Sequence, residues 1–462
     1  MIGSGGREAA IAESLTKSPS TILFAISDRL NPSIFKLTKE KGNYKVGPKG
    51  AASNPQFVTD YAVEKRVDIA VVGPEDPLVE GVADALRTKK IPCVGPVKEC
   101  AMIEGDKGFC RKLLDKYKIQ YNPEYKSFTD SSEAVHYVDE MRRKGIPLAI
   151  KPAGLTGGKG VKLTGEQLKD YDEAKAYVES TLKEKPGGLQ SVVVEEKILS
   201  PLEVTIQTFT DGKSVVLAPC VQDYKRAYEE DKGPNTGGMG SYSQSDQLMP
   251  FLTRKDYDDT ADMVRRIIEA LFKETGERYQ GFFYAQMMKG ISPVKRQLRT
   301  ILTEANVRLG DSEAINVLPI LDSEDPMEVY WSIIDQTLSA KKVGFTRSAT
   351  VCKYLVPEGY PESPKENEQV EVDEKKIKDV GARYYWASVN MTNSKVLTTR
   401  SRAIAVLGVS ESLRDAEELA EKATEFIKGP LRHRKDIGRD PTDLIRRTQS
   451  RWRVPPKQDN LS

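Results

Sequence analysis

The feature that narrows the fold most is a recurring short apolar run that ends on a glycine, a proline or a charged residue. Ile69–Gly73 (IAVVG), Leu148–Ala153 (LAIKPA) and Ser191–Glu196 (SVVVEE) are of this kind. Each is too short for a helix and rich enough in Val and Ile for a buried strand. The first runs into GPEDP, which reads as a loop. Between such runs lie segments with helical apolar spacing. Asp130–Gly145 carries Asp130 and Glu133 at capping-box spacing and stops at Gly145. Asp256–Gly276 opens on acids and ends on glycine, and Asp325 with Pro326 marks a further helix start. Ser410–Gly429 is amphipathic and closes on lysine and glycine. Alternating strands and helices define an α/β chain. Val204–Phe209 and Ser214–Pro219 flank TDGK and read as a hairpin. The Pro-, Glu- and Lys-rich stretch Tyr354–Val380 reads as surface loops.

At 462 residues the chain has room for about two to four domains. Its 70 basic residues balance 68 acidic ones, so an acidic ligand must be held by local groups. The stretch from Arg432 to Lys457 has nine Lys and Arg against three Asp. It reads as a solvated tail or, in its first part, as a phosphate contact. Trp452 is its only aromatic, which argues against a nucleic-acid arm. Five cysteines without a C-x-x-C pair argue against a disulfide framework or a zinc site and fit a reducing cytoplasm. With only His136 and His433, a histidine dyad is all but excluded. No apolar run reaches about 18 residues, so no membrane span is expected. The start MIGSGGRE lacks the regions of a signal peptide.

Four stretches carry chemistry. GSGGRE (Gly3–Glu8) misses the dinucleotide fingerprint, because Glu8 stands where its third glycine belongs. It is either a tight strand-to-helix turn or an anion site, with Arg7 adding a charged fork. KPAGLTGGKGV (Lys151–Val161) fails as a Walker loop at Ala153 and Gly160. Two lysines flanking its glycines favour phosphate binding over a bare hairpin tip. In VVVEEKILSPLE a strand delivers Glu195 and Glu196, a weak signal alone. In ILTEANVRLGD, Glu304, Asn306 and Arg308 alternate, so on a strand they share a face. Glu and Asn oxygens suit Mg²⁺, Gln286 adds an amide from a neighbouring strand, and Arg308 suits a carboxylate or phosphoryl group. No nucleophile with a partner is visible. The residues alone point to an ATP- and Mg²⁺-dependent ligase or kinase working by positioning and charge neutralisation.

A fifth stretch, KGPNTGGMGS (Lys232–Ser241), reads as a stiff loop and not as a linker. Pro234 fixes one torsion, Asn235 and Thr236 can bond the local backbone, and Gly237 and Gly238 permit close approach. No lysine follows its glycines, so it is not a phosphate loop of the Walker type.

With GSGGRE, VVGPEDPLVEGVAD, GDKGFCRKLL, KPAGLTGGKGV, VVEEKI, QDYKR, KGPNTGGMGSYS, GFFYA, EANVRLGD and RHRKDIG in this order, the chain resembles the phosphoribosylamine–glycine ligase family of the ATP-grasp superfamily. The resemblance runs from Gly3 to about Gly438, and EAINVLPIL is similar to the archaeal members. It implies a Rossmann-like N-terminal domain (1–100) and an ATP-grasp region (101–325) with a small lid at about 120–196. A small mixed C-terminal domain (326–440) and a basic tail (441–462) follow. It implies ligation of glycine to 5-phosphoribosylamine through glycyl phosphate, with ATP and Mg²⁺ or Mn²⁺, by a cytoplasmic monomer or small homo-oligomer.

The resemblance also implies roles. Lys107 and Lys151 contact ATP phosphates under a lid of Gly157, Gly158, Lys159 and Gly160. Glu195, Glu196, Lys197 and Ile198 form the adenine hinge, and Glu203 meets the ribose. Gln286, Glu304 and Asn306 hold the metal, and Arg308 and Asp223 serve the reacting groups. Gly5, Gly6, Arg7, Glu75 and Asp76 face the phosphoribosyl group. Lys225 and Pro234 to Gly238 wall the substrates. Ala9, Asp106, Tyr224 and Ser312 depart from the family pattern without removing a metal or phosphate group. A different ATP-grasp ligase and a non-catalytic nucleotide-binding homologue are the other readings. The loop at Lys232 argues against the first, and the retained Lys107, Lys151, Glu304, Asn306 and Arg308 argue against the second.

Overall fold

The computed structural model describes residues 1–157, 160–440 and 442. The described chain forms two compact units, one of residues 1–102, 204–285 and 306–440, the other of residues 103–203 and 286–305.

The first unit opens as a parallel sheet. Ile2 alone bridges to Ile26 on one side and Val72 on the other. Its amide donates to the Val71 carbonyl and the Gly3 amide to the Ile26 carbonyl, both at 3.0 Å. A single residue serves as the central strand because its neighbours satisfy its backbone. Ala25–Ser27 pairs onward with Tyr44–Val46, and Ala70–Val71 with Cys93–Val94. Helices Gly6–Thr16, Pro32–Leu37, Pro55–Glu64 and Val82–Thr88 complete the Rossmann-like alternation. Asn31 and Asn54 cap two of them, each with proline next. The turns after Ile2 and after Val71 lie at the carboxyl ends of strands, where open α/β sheets bind ligands. The expected GPEDP loop is in fact a short helix, Glu75–Val79, started by its own acidic first turn.

The same unit holds an antiparallel sheet of order Gln222–Asp223, Gly240–Ser243, Ala349–Pro357, Ile404–Ser410, Arg383–Trp386. Helix Leu413–Thr424 packs on it. Gly408 makes this possible, because a methyl group there would collide with the Ala416 carbonyl oxygen. Two expectations need correction here. The helix predicted over Ser410–Gly429 is confined to Leu413–Thr424, since Ser412 caps it and Ile427–Lys428 leave to pair with Glu371–Val372. Tyr354–Pro357, predicted as loop, ends a buried strand whose partners Ile404–Ala405 and Leu431–Arg432 satisfy its backbone.

The second unit has an antiparallel sheet of order Tyr125–Phe128, Val192–Glu196, Leu148–Pro152, Lys162–Leu163. Helices Ser131–Arg143 and Tyr171–Glu184 cover it. Asp130 caps the first by accepting from the Glu133 amide at 2.9 Å. Leu148, Ile150, Val192 and Val194 belong to the core under these helices. Strand alternation therefore sends Lys151 and Glu195 to the opposite face. The predicted hairpin is present, with Leu199–Thr210 antiparallel to Val215–Leu217. Leu199–Thr210, Gly281–Ser292 and Gln297–Asn306 each begin in one unit and end in the other. No described helix is long and apolar enough to cross a membrane.

Candidate active site

In the second unit the site is built on a buried ion triad. Glu195 accepts from Arg111 Nε at 2.7 Å and lies 2.8 Å from Lys151 Nζ. All three side chains are almost fully buried. Arg111 also donates to the Leu302 and Thr303 carbonyls, both at 2.7 Å, and Lys151 to Thr303 at 3.1 Å. Burial pushes the Glu195 carboxyl up, but Arg111 and Lys151 pull it further down, below the usual range. Two cations around one anion leave surplus positive charge, which suits a polyphosphate.

Lys107 opens the helix Lys107–Lys116, capped by Asp106, and its Nζ donates to the Gly154 carbonyl at 3.0 Å. Burial lowers its pKa, Glu304 opposes that and Lys151 adds to it. The sequence reading passed over Arg111, although GDKGFCRKLL contains the signal. Lys107 and Arg111 are four apart and so share one helix face.

This triad makes Glu195→Gln a stability test. The substitution leaves Arg111 and Lys151 buried without their carboxylate, a loss of about 3 kcal/mol or more. The melting temperature is expected to fall by several degrees, and an unchanged melting curve would refute the triad's structural weight.

The glycine loop joins the paired strands Leu148–Pro152 and Lys162–Leu163. Gly157 has φ +58°, the Gly160 amide donates to Thr156 Oγ1 at 3.2 Å, and Tyr177 donates to the Gly160 carbonyl at 2.6 Å. Gly158 and Lys159 lie outside the described residues, as does the tail from Pro441 save Thr442. At the predicted hinge, Glu196 accepts from the Glu124 amide at 3.1 Å, from Ser292 at 2.6 Å and from the Val294 amide at 3.2 Å. Lys197 binds the Thr164 carbonyl at 3.0 Å and Glu166 at 2.9 Å. These side chains are thus committed to the protein's own groups, and Ile198 is buried. Glu203 accepts from the Gln286 amide nitrogen at 3.2 Å. Glu304 and Asn306 share one face of the strand Gln297–Asn306. Within this unit Glu304 and Gln286 offer a carboxylate and an amide oxygen, donors of the kind Mg²⁺ takes.

In the first unit Arg308 lies past the end of that strand rather than on it, because the ladder stops at Asn306. Its Nε donates to Glu75 at 3.0 Å and its Nη2 to Asn306 Oδ1 at 3.4 Å, while the guanidinium sits 5.5 Å from the Tyr284 ring centroid. Arg7 is buried. It binds Glu8 at 2.6 Å and the Leu309 carbonyl at 3.0 Å, with Glu75 at 3.8 Å. The Gly5 amide donates to Glu8 Oε2 at 2.6 Å. Arg7 and Glu8 thus brace the glycine turn from inside; a buried guanidinium needs a counter-charge, and Glu8 supplies it. Asp76 is exposed beside Glu75.

The loop at Lys232 is ordered throughout. Lys232–Asn235 and Gly240–Ser243, which include Pro234 and Asn235, are strands. The Thr236 amide and hydroxyl both donate to the Lys225 carbonyl, at 2.7 and 2.8 Å, and the Gly238 amide donates to Thr236 Oγ1 at 3.0 Å. Asp223 pairs with Ser241 in a short strand. Arg402 donates to the Gly237 and Gly238 carbonyls, a contact with no motif to announce it. The departures from the family pattern have structural roles. Asp106 caps a helix, Ser312 shares a hydrogen bond with Ser241 at 2.6 Å, and the Tyr224 ring lies 4.8 Å from the Arg434 guanidinium. Arg434 is itself buried against Asp436 and Asp231, so the start of the basic segment is structural.

The fold has solved counterparts. The biotin carboxylase domain of 2-oxoglutarate carboxylase from Hydrogenobacter thermophilus, solved with MgADP, matches with TM-score 0.64 at 16% identity over 96% of this chain and 92% of that one. A phosphoribosylamine–glycine ligase from Thermotoga maritima matches with TM-score 0.73 at 23% identity over 94% of this chain and 98% of that one. These likenesses define the fold class, a multidomain α/β architecture. Sequence narrows the class. Residues 1–104, 105–314 and 350–440 match the N, ATP-grasp (A) and C domains of phosphoribosylglycinamide synthetase. The phosphoribosylamine–glycine ligase of Methanopyrus kandleri is 46% identical over 96% of both chains. The chain belongs to the phosphoribosylglycinamide synthetase family.

Proposed function

We propose that this chain joins glycine to 5-phosphoribosylamine at the expense of ATP, a step of purine synthesis. A glycine carboxylate oxygen attacks the γ-phosphorus and the bond to ADP breaks. The amine of phosphoribosylamine then attacks the carbonyl carbon of the glycyl phosphate. Phosphate leaves with the C–O electron pair, the amine loses a proton, and glycinamide ribonucleotide remains. The acyl phosphate is needed because a bare carboxylate is a poor electrophile.

The observation that carries this reading is the buried set Lys151, Arg111 and Glu195 with the half-buried Lys107, on which Glu304 acts. It matches phosphoryl transfer by charge neutralisation and offers no covalent nucleophile. In this reading Lys107 and Lys151 hold ATP phosphates, the loop Gly157–Gly160 covers them, and Glu195–Ile198 with Glu203 borders adenosine. Gln286, Glu304 and Asn306 hold Mg²⁺, with Mn²⁺ as a substitute, and the metal screens phosphate charge when bound. Arg308 and Asp223 orient the carboxylate and amine. Gly5, Gly6, Arg7, Glu75 and Asp76 border the phosphoribosyl group, and Lys225 with Pro234–Gly238 walls the substrates. The domains run 1–100, 101–325 with a lid at about 120–196, and 326–440, ahead of a tail at 441–462. The protein works in the cytoplasm as a monomer or small homo-oligomer.

Purified protein with ATP, Mg²⁺, glycine and freshly generated phosphoribosylamine is expected to release ADP only when both acceptors are present. Nucleotide binding without ADP release would favour a non-catalytic homologue. ADP release with another carboxylate–amine pair and not this one would favour a different ligase.

A further inference from the structure

Arg402 is separated from the loop Thr236–Met239 by more than 160 residues of sequence, yet its guanidinium donates to two of the loop's carbonyls. Nη1 donates to the Gly237 carbonyl at 2.7 Å, to the Gly238 carbonyl at 3.0 Å and to the Asp311 carbonyl at 2.8 Å. Nη2 donates to Asp311 Oδ2 at 3.0 Å. The Tyr354 ring lies 4.3 Å from the guanidinium, and the Tyr354 hydroxyl donates to Asp311 Oδ1. The Arg402 and Asp311 side chains are 13% and 16% exposed, so the pair is held in a low-dielectric setting where its hydrogen bonds are strong.

The guanidinium packs close against both glycines. A Cβ on Gly237 would meet Arg402 Cζ at 3.5 Å and one on Gly238 would meet Nη1 at 3.4 Å, both ordinary contacts. Gly238 also has φ +103°, which a side chain would strain. The hub reaches further. A Cβ on Gly5 would lie 3.5 Å from Asp311 Oδ2, and one on Gly6 would collide with the Tyr354 hydroxyl. Three segments that sequence alone marks as functional, GSGGRE, TGG and the end of EANVRLGD, therefore meet on one Arg–Asp–Tyr cluster.

We propose that Arg402 is a positioning residue that sets the Gly237–Gly238 backbone for the amine substrate, acting through the loop and not on the reacting atoms. This rests on the reading of that loop as a substrate wall. Nη1 serves both loop carbonyls and the Asp311 carbonyl while Nη2 holds the Asp311 carboxylate, a two-nitrogen fork that a lysine ammonium, one point charge, does not reproduce.

The test is Arg402→Lys, with Arg402→Met beside it, each compared with the wild-type chain. Amide hydrogen exchange across Lys232–Ser241 is expected to quicken in both variants. In Arg402→Lys the kcat/KM for phosphoribosylamine is expected to fall about 10- to 100-fold while the KM for ATP stays within about twofold. Unaltered exchange in the loop would overturn the clamp. Faster exchange with unchanged kcat/KM would overturn the positioning role, and so would an equal loss towards ATP and phosphoribosylamine. A wild-type chain without turnover would instead refute the ligase reading, and the exchange data would still decide the clamp. If Arg402→Met does not fold, Arg402→Lys decides alone.

Discussion

Glu304→Gln is expected to yield a folded protein whose turnover has fallen by at least about 10²- to 10³-fold. The replacement keeps shape and partial burial, so packing around the strand Gln297–Asn306 has little reason to change. What it removes is the one carboxylate of the proposed metal set, whose other members are the Gln286 and Asn306 amides. A hard divalent cation depends on that charge far more than on a third neutral oxygen. The change also acts on Lys107, whose pKa burial already lowers and Glu304 props up. Without Glu304 the ammonium loses part of the support that keeps it charged for phosphate. Steady-state ADP release, its Mg²⁺ half-saturation and a melting curve, taken together, check this. Full activity at ordinary Mg²⁺ would remove Glu304 from the metal set. A collapse of the melting curve in step with activity would make its role structural.

Much of this site was legible because strand periodicity is simple. In LAIKPA and VVVEE, alternation alone puts Lys151 and Glu195 on the face away from Ile150 and Val194, and the structure pairs them at 2.8 Å. Helix starts at Asp130 and Asp325 were legible for the same local reason, since caps are chemistry between near neighbours. Arg308 shows where the argument fails. Its alternation with Glu304 and Asn306 is real in the sequence, but the strand ends at Asn306, and a strand end is set by the partner's ladder. Arg111 is legible too, since it stands four residues after Lys107 on the same helix face. Arg402 was not legible at all. Its partners are backbone carbonyls far along the chain, and carbonyls leave no mark in a sequence. Thr236 does bond the local backbone as its type suggests, and the distant guanidinium adds two further hydrogen bonds to the loop.

Arg308→Met is expected to lower kcat by about 10³-fold and, separately, to change how stability responds to acid. The kinetic part follows from the loss of a fixed cation beside developing phosphoryl or carboxylate charge. The second part rests on Glu75. Burial pushes its carboxyl up, yet Arg308 first and Arg7 second outweigh that and hold it at about 2. A carboxyl held below its unfolded value of about 4.3 adds stability that is full above that value. That stability is lost as pH falls from there towards about 2. Removing Arg308 takes away the larger of the two cationic effects and moves the Glu75 carboxyl back towards the ordinary range. The melting temperature of Arg308→Met should therefore lie below that of the wild type at neutral pH, and the gap should narrow between about pH 4.5 and pH 2. A gap that stays constant through that window would mean that Arg308 stabilises by packing on Tyr284 and not by charge. Arg7 remains in the variant and binds Glu8 directly, so the glycine turn should keep its shape while Glu75 loses its nearer cation. Narrowing of the gap together with the fall in kcat would tie Glu75 and Arg308 to one electrostatic unit.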